Sequence, residues 1–181
     1  LADAVVVDVQ CDYHKEVIGD VRNGNADIAA LESSLKVIGE KIDPNCLVLI
    51  ETTVPPGTTE YIAYPIVKKA FYQRGLKDEE PLLAHSFERV MPCRNYVASI
   101  RDFWRVCSGI NPTARERVEK FLSEILNVEQ YPLTVLDRPI ESETCKIIEN
   151  SYRATILAFV DEWSKFSERN GVDLTKVIQA I

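Results

Sequence analysis

The hydrophobic positions of this chain fall into short runs that alternate with longer amphipathic segments. The first short runs, rich in Val, Leu and Ile, are typical of strands buried on both faces, as in a parallel sheet. Turn-forming Pro, Gly, Asn and Asp residues separate several of the segments. We predict five strands, at residues 4–9, 47–53, 81–85, 103–110 and 131–136.

The segments between these runs place apolar residues at helical intervals. Asp27 is expected to cap the first helix with its side chain. Thr58 or Thr59, directly after a Pro-Pro-Gly break, is expected to cap the second helix, which Gly75 ends. Thr113 is expected to open the third. Strands that alternate with helices indicate an α/β fold with a mainly parallel sheet.

The longest element is a helix predicted from Pro139 to about Asn170, with Gly171 as its stop signal and Asp173 capping a last helix. Its apolar residues cover more than one stripe, so we expect the helix to contact partners on several sides. We therefore predict two parts: a sheet-containing domain at 1–137 and the start of an all-helical region at 138–181. The apolar residues are Ile147, Ile148, Tyr152, Ile156, Leu157, Phe159, Val160, Trp163 and Phe166.

Composition narrows the classes of function. Hydrophobic residues make up 46% and charged residues 27%, which is the balance of a folded globular protein. The net charge of -7 argues against a nucleic-acid partner. Five cysteines without a C-x-x-C pair, and two distant histidines, predict neither a disulfide framework nor a metal site. No apolar run reaches the roughly 20 residues that span a bilayer, so we expect a cytoplasmic protein without a membrane partner.

Both ends of the chain lie within predicted structure. Leu1 directly precedes a strand and there is no initiator Met, while Ile181 ends an apolar helical pattern. Natural termini usually lie in exposed polar segments. We therefore expect an internal fragment of a longer protein.

Candidate chemistry lies at the predicted strand ends, because open α/β sheets bind ligands outside the carboxyl ends of their strands. Thr52 and Thr53 follow the second strand, and Glu88 follows the third. Their hydroxyls and carboxylate could hold a water or a sugar hydroxyl. The structural alternative is that the threonines satisfy strand-end amides and cap the following helix.

The long helix carries a second candidate pair, Lys146 and Asn150, which the helical repeat places on one face. A cation beside an amide can stabilise an oxyanion as charge develops. The alternative is a solvated helix face, since several charged residues lie nearby. Cys93 and Cys145 have no neighbouring His to activate a thiolate, which argues against a nucleophilic role. No G-x-G-x-x-G phosphate loop occurs in the chain.

Four segments in order resemble the UDP-glucose/GDP-mannose dehydrogenase family. Residues 47–59 resemble its E-S-T-V-x-P-G-T segment, and residues 86–92 resemble S-P-E-R-V-x-P-G. Residues 141–150 resemble the E-x-x-K-x-x-x-N helix, and 159–173 resemble N-E-x-A…G-x-D, with Asp161 where Asn is usual. The resemblance spans nearly the whole chain and implies the C-terminal part of an NAD-binding Rossmann-like domain at 1–137. A helical central, dimerising region would follow at 138–181.

The resemblance implies NAD-dependent oxidation of the C6 alcohol of a UDP-sugar to a carboxylate, in polysaccharide biosynthesis. Thr53 would help to place a catalytic water, Glu88 would assist proton transfer, and Lys146 and Asn150 would stabilise the oxyanion at C6. Gln10 and Thr53 would lie beside the NAD cofactor. The E-R-V sequence resembles members that act on N-acetylated hexosamines. A homodimer through the long helix is also implied.

The chain departs from the family pattern at several points. The N-terminal G-x-G-x-x-G unit and the C-terminal domain with its nucleophilic Cys are missing, Phe87 replaces a proline and Cys93 a glycine. We therefore expect the chain by itself to be inactive. Two alternatives remain open: an oxidoreductase similar to the β-hydroxyacid dehydrogenases, which share a K-x-x-x-N helix, and a non-catalytic helical dimerisation module.

Overall fold

The structure is a computed structural model that describes residues 2–17, 23–90 and 95–181. The chain divides into two compact units, residues 1–146 and 147–181. In chain order the elements are strands β1 Ala4–Val7, β2 Asp12–His14 and β3 Asn25–Asp27, helix α1 Ala29–Lys41, strand β4 Leu47–Ile50, a π-helical turn Thr59–Ala63 continuing into helix α2 Tyr64–Gln73, strand β5 Leu82–Ser86, helix α3 Tyr96–Arg101, strand β6 Val106–Gly109, helix α4 Pro112–Ile125, strand β7 Thr134–Leu136 and helices α5 Pro139–Asn170 and α6 Leu174–Gln179.

The central sheet has the order β1-β4-β5-β6-β7. The β1–β4, β4–β5 and β6–β7 pairs are parallel, and only the β5–β6 pair among these strands is antiparallel. The α/β class with a mainly parallel sheet is thus confirmed. Because β6 runs against β5, the residue that precedes β6, Arg105, lies at the same edge of the sheet as the end of β5.

The core occupies both faces of the sheet, and β4 explains why. Its side chains alternate, so that Val48 and Ile50 pack with α1 and α2 while Leu47 and Leu49 pack with α4. All four are at most 1% exposed. The outermost strand, β1, differs from the prediction of burial on both faces, since Val6 is 44% exposed.

The residues that cap the helix N-termini differ from those predicted from the sequence. The N-cap of α1 is Ile28 and not Asp27, which precedes it and accepts a hydrogen bond from the Ala29 amide at 3.0 Å. Thr58 does not cap the second helix with its side chain, and its hydroxyl donates to the Pro55 carbonyl instead. Asn111, not Thr113, caps α4 by accepting from the Ala114 amide. The β2–β3 hairpin and α3 were not predicted.

The second unit consists of the later turns of α5 followed by α6. Gly171 has φ +65°, a left-handed conformation that ends α5 as predicted. Asp173 caps α6 by accepting from the Thr175 and Lys176 amides. Within this unit many large apolar side chains are exposed, among them Tyr152 at 69% and Leu157 at 66%.

Candidate functional site

The predicted site residues Gln10, Thr53 and Glu88 follow the carboxyl ends of three adjacent parallel strands. Val7, Ile50 and His85 are register partners across the parallel strands β1, β4 and β5. Gln10, Thr53 and Glu88 each follow the register partner of their own strand by three residues. The topology therefore brings these three residues to neighbouring strand ends, where α/β sheets bind ligands.

Thr52 and Thr53 differ in how their side chains are used. The Thr52 hydroxyl donates to the Val9 carbonyl and accepts from the Val9 amide, both at 2.8 Å. Thr52 thus ties the ends of β1 and β4 together, as the structural alternative predicted. Thr53 is half-buried, and Gln10 is exposed with its amide donating to the Asp12 carboxylate.

Lys146 reaches the loop that carries Glu88. Its Nζ donates to the Glu88 carbonyl at 2.9 Å and lies 5.4 Å from the centroid of the Phe87 ring. The Glu88 carboxylate accepts from the Val90 amide. The solvated-face alternative is therefore incorrect for Lys146, which is half-buried against this loop.

Phe87, which stands where the family has a proline, organises the cations of this loop. Phe87 is 1% exposed, and the Lys146 ammonium group lies over its ring. The Arg89 guanidinium also lies 5.4 Å from the centroid of this ring. Arg89 lies in addition 5.2 Å from the Phe103 ring centroid. Aromatic faces attract cations, so Phe87 helps to hold both charged groups.

A buried ion pair that the sequence did not reveal lies at the same edge. Arg105 is 4% exposed, forms an ion pair with Glu51 after β4, and donates from Nε to the Ser86 hydroxyl at 3.3 Å. It joins the ends of β4 and β5, which precede Thr53 and Glu88. The signal in the sequence was a charged residue within the apolar segment predicted as a strand at residues 103–110.

A second missed residue is Glu143, whose side chain is fully buried. Its carboxylate accepts from the Gly57 amide at 2.5 Å, the Thr59 amide at 2.8 Å and the Thr59 hydroxyl at 2.7 Å. Burial raises the pKa of Glu143, and these hydrogen bonds oppose the rise. Glu143 is the first residue of the E-x-x-K-x-x-x-N pattern, which was the signal in the sequence.

His85 belongs to a buried hydroxyl network beneath the edge. Its Nδ1 lies 2.7 Å from the Ser142 Oγ, which is also 2.7 Å from the Ser108 Oγ and donates to the Pro139 carbonyl. Its Nε2 is buried without a partner in the described part of the chain. Burial lowers the pKa of His85 to about 4, opposed in smaller part by the Thr52 main chain.

Three further candidates remain to be placed. Asn150 is exposed and belongs to the second unit, one helical turn beyond Lys146 on α5. Cys145 is a half-buried free thiol. Cys93 lies outside the described residues, as does the end of the 86–92 segment.

Among the described residues, no helix has the length and apolarity that crossing a membrane requires. That part of the chain also contains no group of three or more His, Cys, Asp or Glu side chains placed to hold a metal ion.

The mainly parallel sheet with polar groups at one edge is the architecture of Rossmann-type dehydrogenases. A solved structure of a UDP-D-ManNAc dehydrogenase from Pyrococcus horikoshii matches 98% of this chain and 39% of its own, with a TM-score of 0.79 and 25% identity. A ternary complex of a GDP-mannose dehydrogenase from Pseudomonas aeruginosa shares the fold at a TM-score of 0.75, with 17% identity.

Family models assign the chain more closely. Residues 15–125 match the NAD-binding domain of the UDP-glucose/GDP-mannose dehydrogenase family, and residues 140–181 match its central domain. The chain belongs to this family.

Curated relatives agree with this assignment. UDP-N-acetyl-D-mannosamine dehydrogenase from P. horikoshii is 28% identical over 84% of the chain, and UDP-N-acetyl-D-glucosamine 6-dehydrogenase from P. aeruginosa is 28% identical over 97%. The chain covers 35% and 38% of these relatives, a little over a third of their length.

Proposed function

We propose that this chain is part of an enzyme that oxidises the C6 alcohol of a UDP-sugar to a carboxylate with NAD. The observation that carries the proposal is the 2.9 Å hydrogen bond from Lys146 to the Glu88 carbonyl. It joins the lysine of the family helix to the strand-end loop, next to the strand end that carries Thr53. In this proposal Thr53 places a water and Glu88 assists proton transfer.

Lys146 and Asn150 would stabilise the negative charge that develops on the C6 oxygen. A lysine tied to the loop by one of its three N–H groups keeps two donors for the substrate. A donor aimed at developing charge typically contributes about 10²–10³-fold to kcat. This assignment treats Asn150 as a partner of Lys146 on the basis of their helical spacing.

The sheet edge fits one end of the cofactor. NAD would accept the hydride, and the exposed amide of Gln10 and the half-buried hydroxyl of Thr53 offer hydrogen bonds suited to a nicotinamide riboside. These 181 residues include no G-x-G-x-x-G loop for the pyrophosphate. We therefore expect no NADH formation by the chain alone. We also propose that its NAD-binding part ends at residue 137 and its helical part begins at residue 138.

The test compares the full-length protein encoded by the surrounding reading frame with this chain. NADH formation at 340 nm should appear with UDP-sugars for the full-length protein only. UDP-N-acetylmannosamine and UDP-N-acetylglucosamine should be better substrates than UDP-glucose. Turnover by the 181-residue chain would contradict the inactivity, and turnover of a β-hydroxyacid in place of UDP-sugars would contradict the substrate class.

A matched pair of lysine variants tests the site. Lys146→Ala should lower kcat by about 10²–10³-fold in the full-length protein. Lys120→Ala, which removes an exposed lysine of α4, should leave it unchanged. Full activity of the Lys146 variant would contradict the catalytic assignment.

The second candidate function is dimerisation through α5. Exposed apolar side chains along its later turns, including Tyr152, Leu157 and Phe159, favour a partner surface, since such patches mark interfaces. We propose a homodimer. In analytical ultracentrifugation the wild-type protein should sediment as a dimer, and Leu157→Glu should dimerise more weakly. A Lys146→Ala protein that stays dimeric but inactive supports catalysis, and an active Lys146→Ala protein supports a purely structural helix.

A further inference from the structure

We propose that Glu143 is a positioning residue, which holds Lys146 against the Glu88 loop by anchoring the first turns of α5 to the Pro-Pro-Gly-Thr-Thr turn. The inference rests on the proposed function, because it gives Lys146 its catalytic part. Its carboxylate binds the Gly57–Thr59 turn, so Glu143 acts on Lys146 through the helix that carries both residues.

The anchor is built from a matched set of donors and acceptors. Three donors, the Gly57 and Thr59 amides and the Thr59 hydroxyl, converge on the two carboxylate oxygens of Glu143. Gly57 and Thr59 are buried, so these donors have no access to water as a substitute. A carboxylate accepts at both oxygens, whereas an amide of the same shape would present a donor to one of these groups.

The turn that receives Glu143 has a constrained shape. Gly57 has φ +94°, and a Cβ built there would lie 2.8 Å from the Tyr61 ring. A side chain at this position would therefore meet both a strained backbone and a steric contact. The turn gives Glu143 a fixed set of donors to bind.

The same turns of α5 make independent contacts with the two neighbouring strand ends. Glu143 binds the turn after β4, and Lys146, three residues later on the adjoining helical face, binds the loop after β5. The Ile140 amide also donates to Glu60 at 3.2 Å. Rotation or sliding of α5 would carry Lys146 away from Glu88, and the Glu143 contacts oppose that movement.

The first experiment measures Lys146 directly in the 181-residue chain. An amine-reactive acetylating reagent is applied briefly, and acetylation of each lysine is read by mass spectrometry against the exposed Lys120. In wild type Lys146 should react more slowly than Lys120, and Glu143→Gln should bring its rate towards that of Lys120. Glu129→Gln, the same change at an exposed glutamate, should have no effect.

If Glu143→Gln does not fold, as judged by circular dichroism, Glu143→Asp replaces it. The shorter carboxylate keeps its charge but cannot reach all three donors, so the same rise in Lys146 reactivity is expected. An unchanged Lys146 rate in a folded variant overturns the positioning role.

The second experiment uses the full-length enzyme. Glu143→Gln should lower kcat by about 10²-fold, the cost of a misplaced catalytic group, with little change in the KM for NAD or UDP-sugar. A purely structural role would instead lower the amount of folded enzyme and leave kcat per folded molecule intact, which would overturn the inference. Should Lys146→Ala remain active while Glu143→Gln still exposes Lys146, the proposed function fails and the anchoring stands.

Discussion

Acidification is expected to destabilise the sheet-containing unit through His85. The ordinary pKa of 6.5 applies to the unfolded chain, while burial lowers the folded value to about 4. The unfolded state therefore binds the proton first, and the stability that the neutral His85 contributes is lost as the pH falls from 6.5 to 4. At 1.36 kcal/mol for each pKa unit, the loss is roughly 2 kcal/mol between pH 7 and pH 5, and about 3 kcal/mol below pH 4.

The physical cause is specific to one atom. The Ser142 hydroxyl donates to the Pro139 carbonyl, so Nδ1 donates its proton to Ser142 and an added proton would reside on Nε2. That atom is buried with no hydrogen-bond partner among the described residues, and the Thr52 main chain offsets only the smaller part of the cost of burying the new charge.

The assay is urea unfolding at several pH values between 5 and 8, followed by tryptophan fluorescence. A Trp163→Phe background leaves Trp104, in the first unit, as the single reporter. The matched variant is His85→Asn, whose amide can still pair with Ser142 but does not titrate. The buried Glu143 has a raised pKa and so acts in the opposite direction, but it is present in both proteins and cancels in the difference.

Two outcomes would refute this reasoning. The first is an identical pH dependence in wild type and His85→Asn. The second is an NMR titration in which the His85 imidazole protonates near pH 6.5 in the folded chain. With two histidines in the sequence, the His85 signal is assigned by its loss in the variant.

Three further predictions concern stability at pH 7, each measured by urea unfolding. Arg105→Met should lower the free energy of unfolding by about 3–5 kcal/mol, because it leaves Glu51 without its cation. The double variant with Glu51→Leu should recover most of that loss. Equal losses for the single and double variants would contradict the ion-pair argument. Phe71→Ala should lower the free energy of unfolding by about 3–5 kcal/mol, since the ring is fully buried. Tyr72→Ala should lower it by less than about 1 kcal/mol, because Tyr72 is 60% exposed. Similar losses for the two variants would contradict the difference in burial. Gly75→Ala should cost about 1 kcal/mol from its φ of +81° alone, because a Cβ there meets nothing within 4 Å; a neutral substitution would contradict the left-handed conformation.

Much of the secondary structure followed from local physics. Short continuous apolar runs located β4 and β5, helical spacing located α1, α2 and α4, and glycine stop signals marked the ends of α2 and α5. These signals are local, because hydrophobic periodicity and glycine conformation act over a few residues. The short elements were missed: β2 and β3 have three residues each, too few for a periodic pattern.

The candidate site shows the same division. The motifs singled out Thr53, Glu88 and Lys146, and parallel register accounts for the neighbouring strand ends of the first two. The residues that hold these side chains in place could not be predicted from motifs or strand register. Glu143 binds residues 84 and 86 positions away along the chain, and His85 pairs with Ser142 across 57 positions.

The sequence by itself thus determined the α/β class, most element positions and the family motifs that contain the candidate residues, because these depend on local pattern and motif. The tertiary structure decided the antiparallel β6, the buried Arg105–Glu51 pair and the Glu143 anchor. The physical reason is that any local sequence pattern predicts a charged side chain to be exposed. It becomes buried only when folding brings distant donors or an opposite charge to meet it.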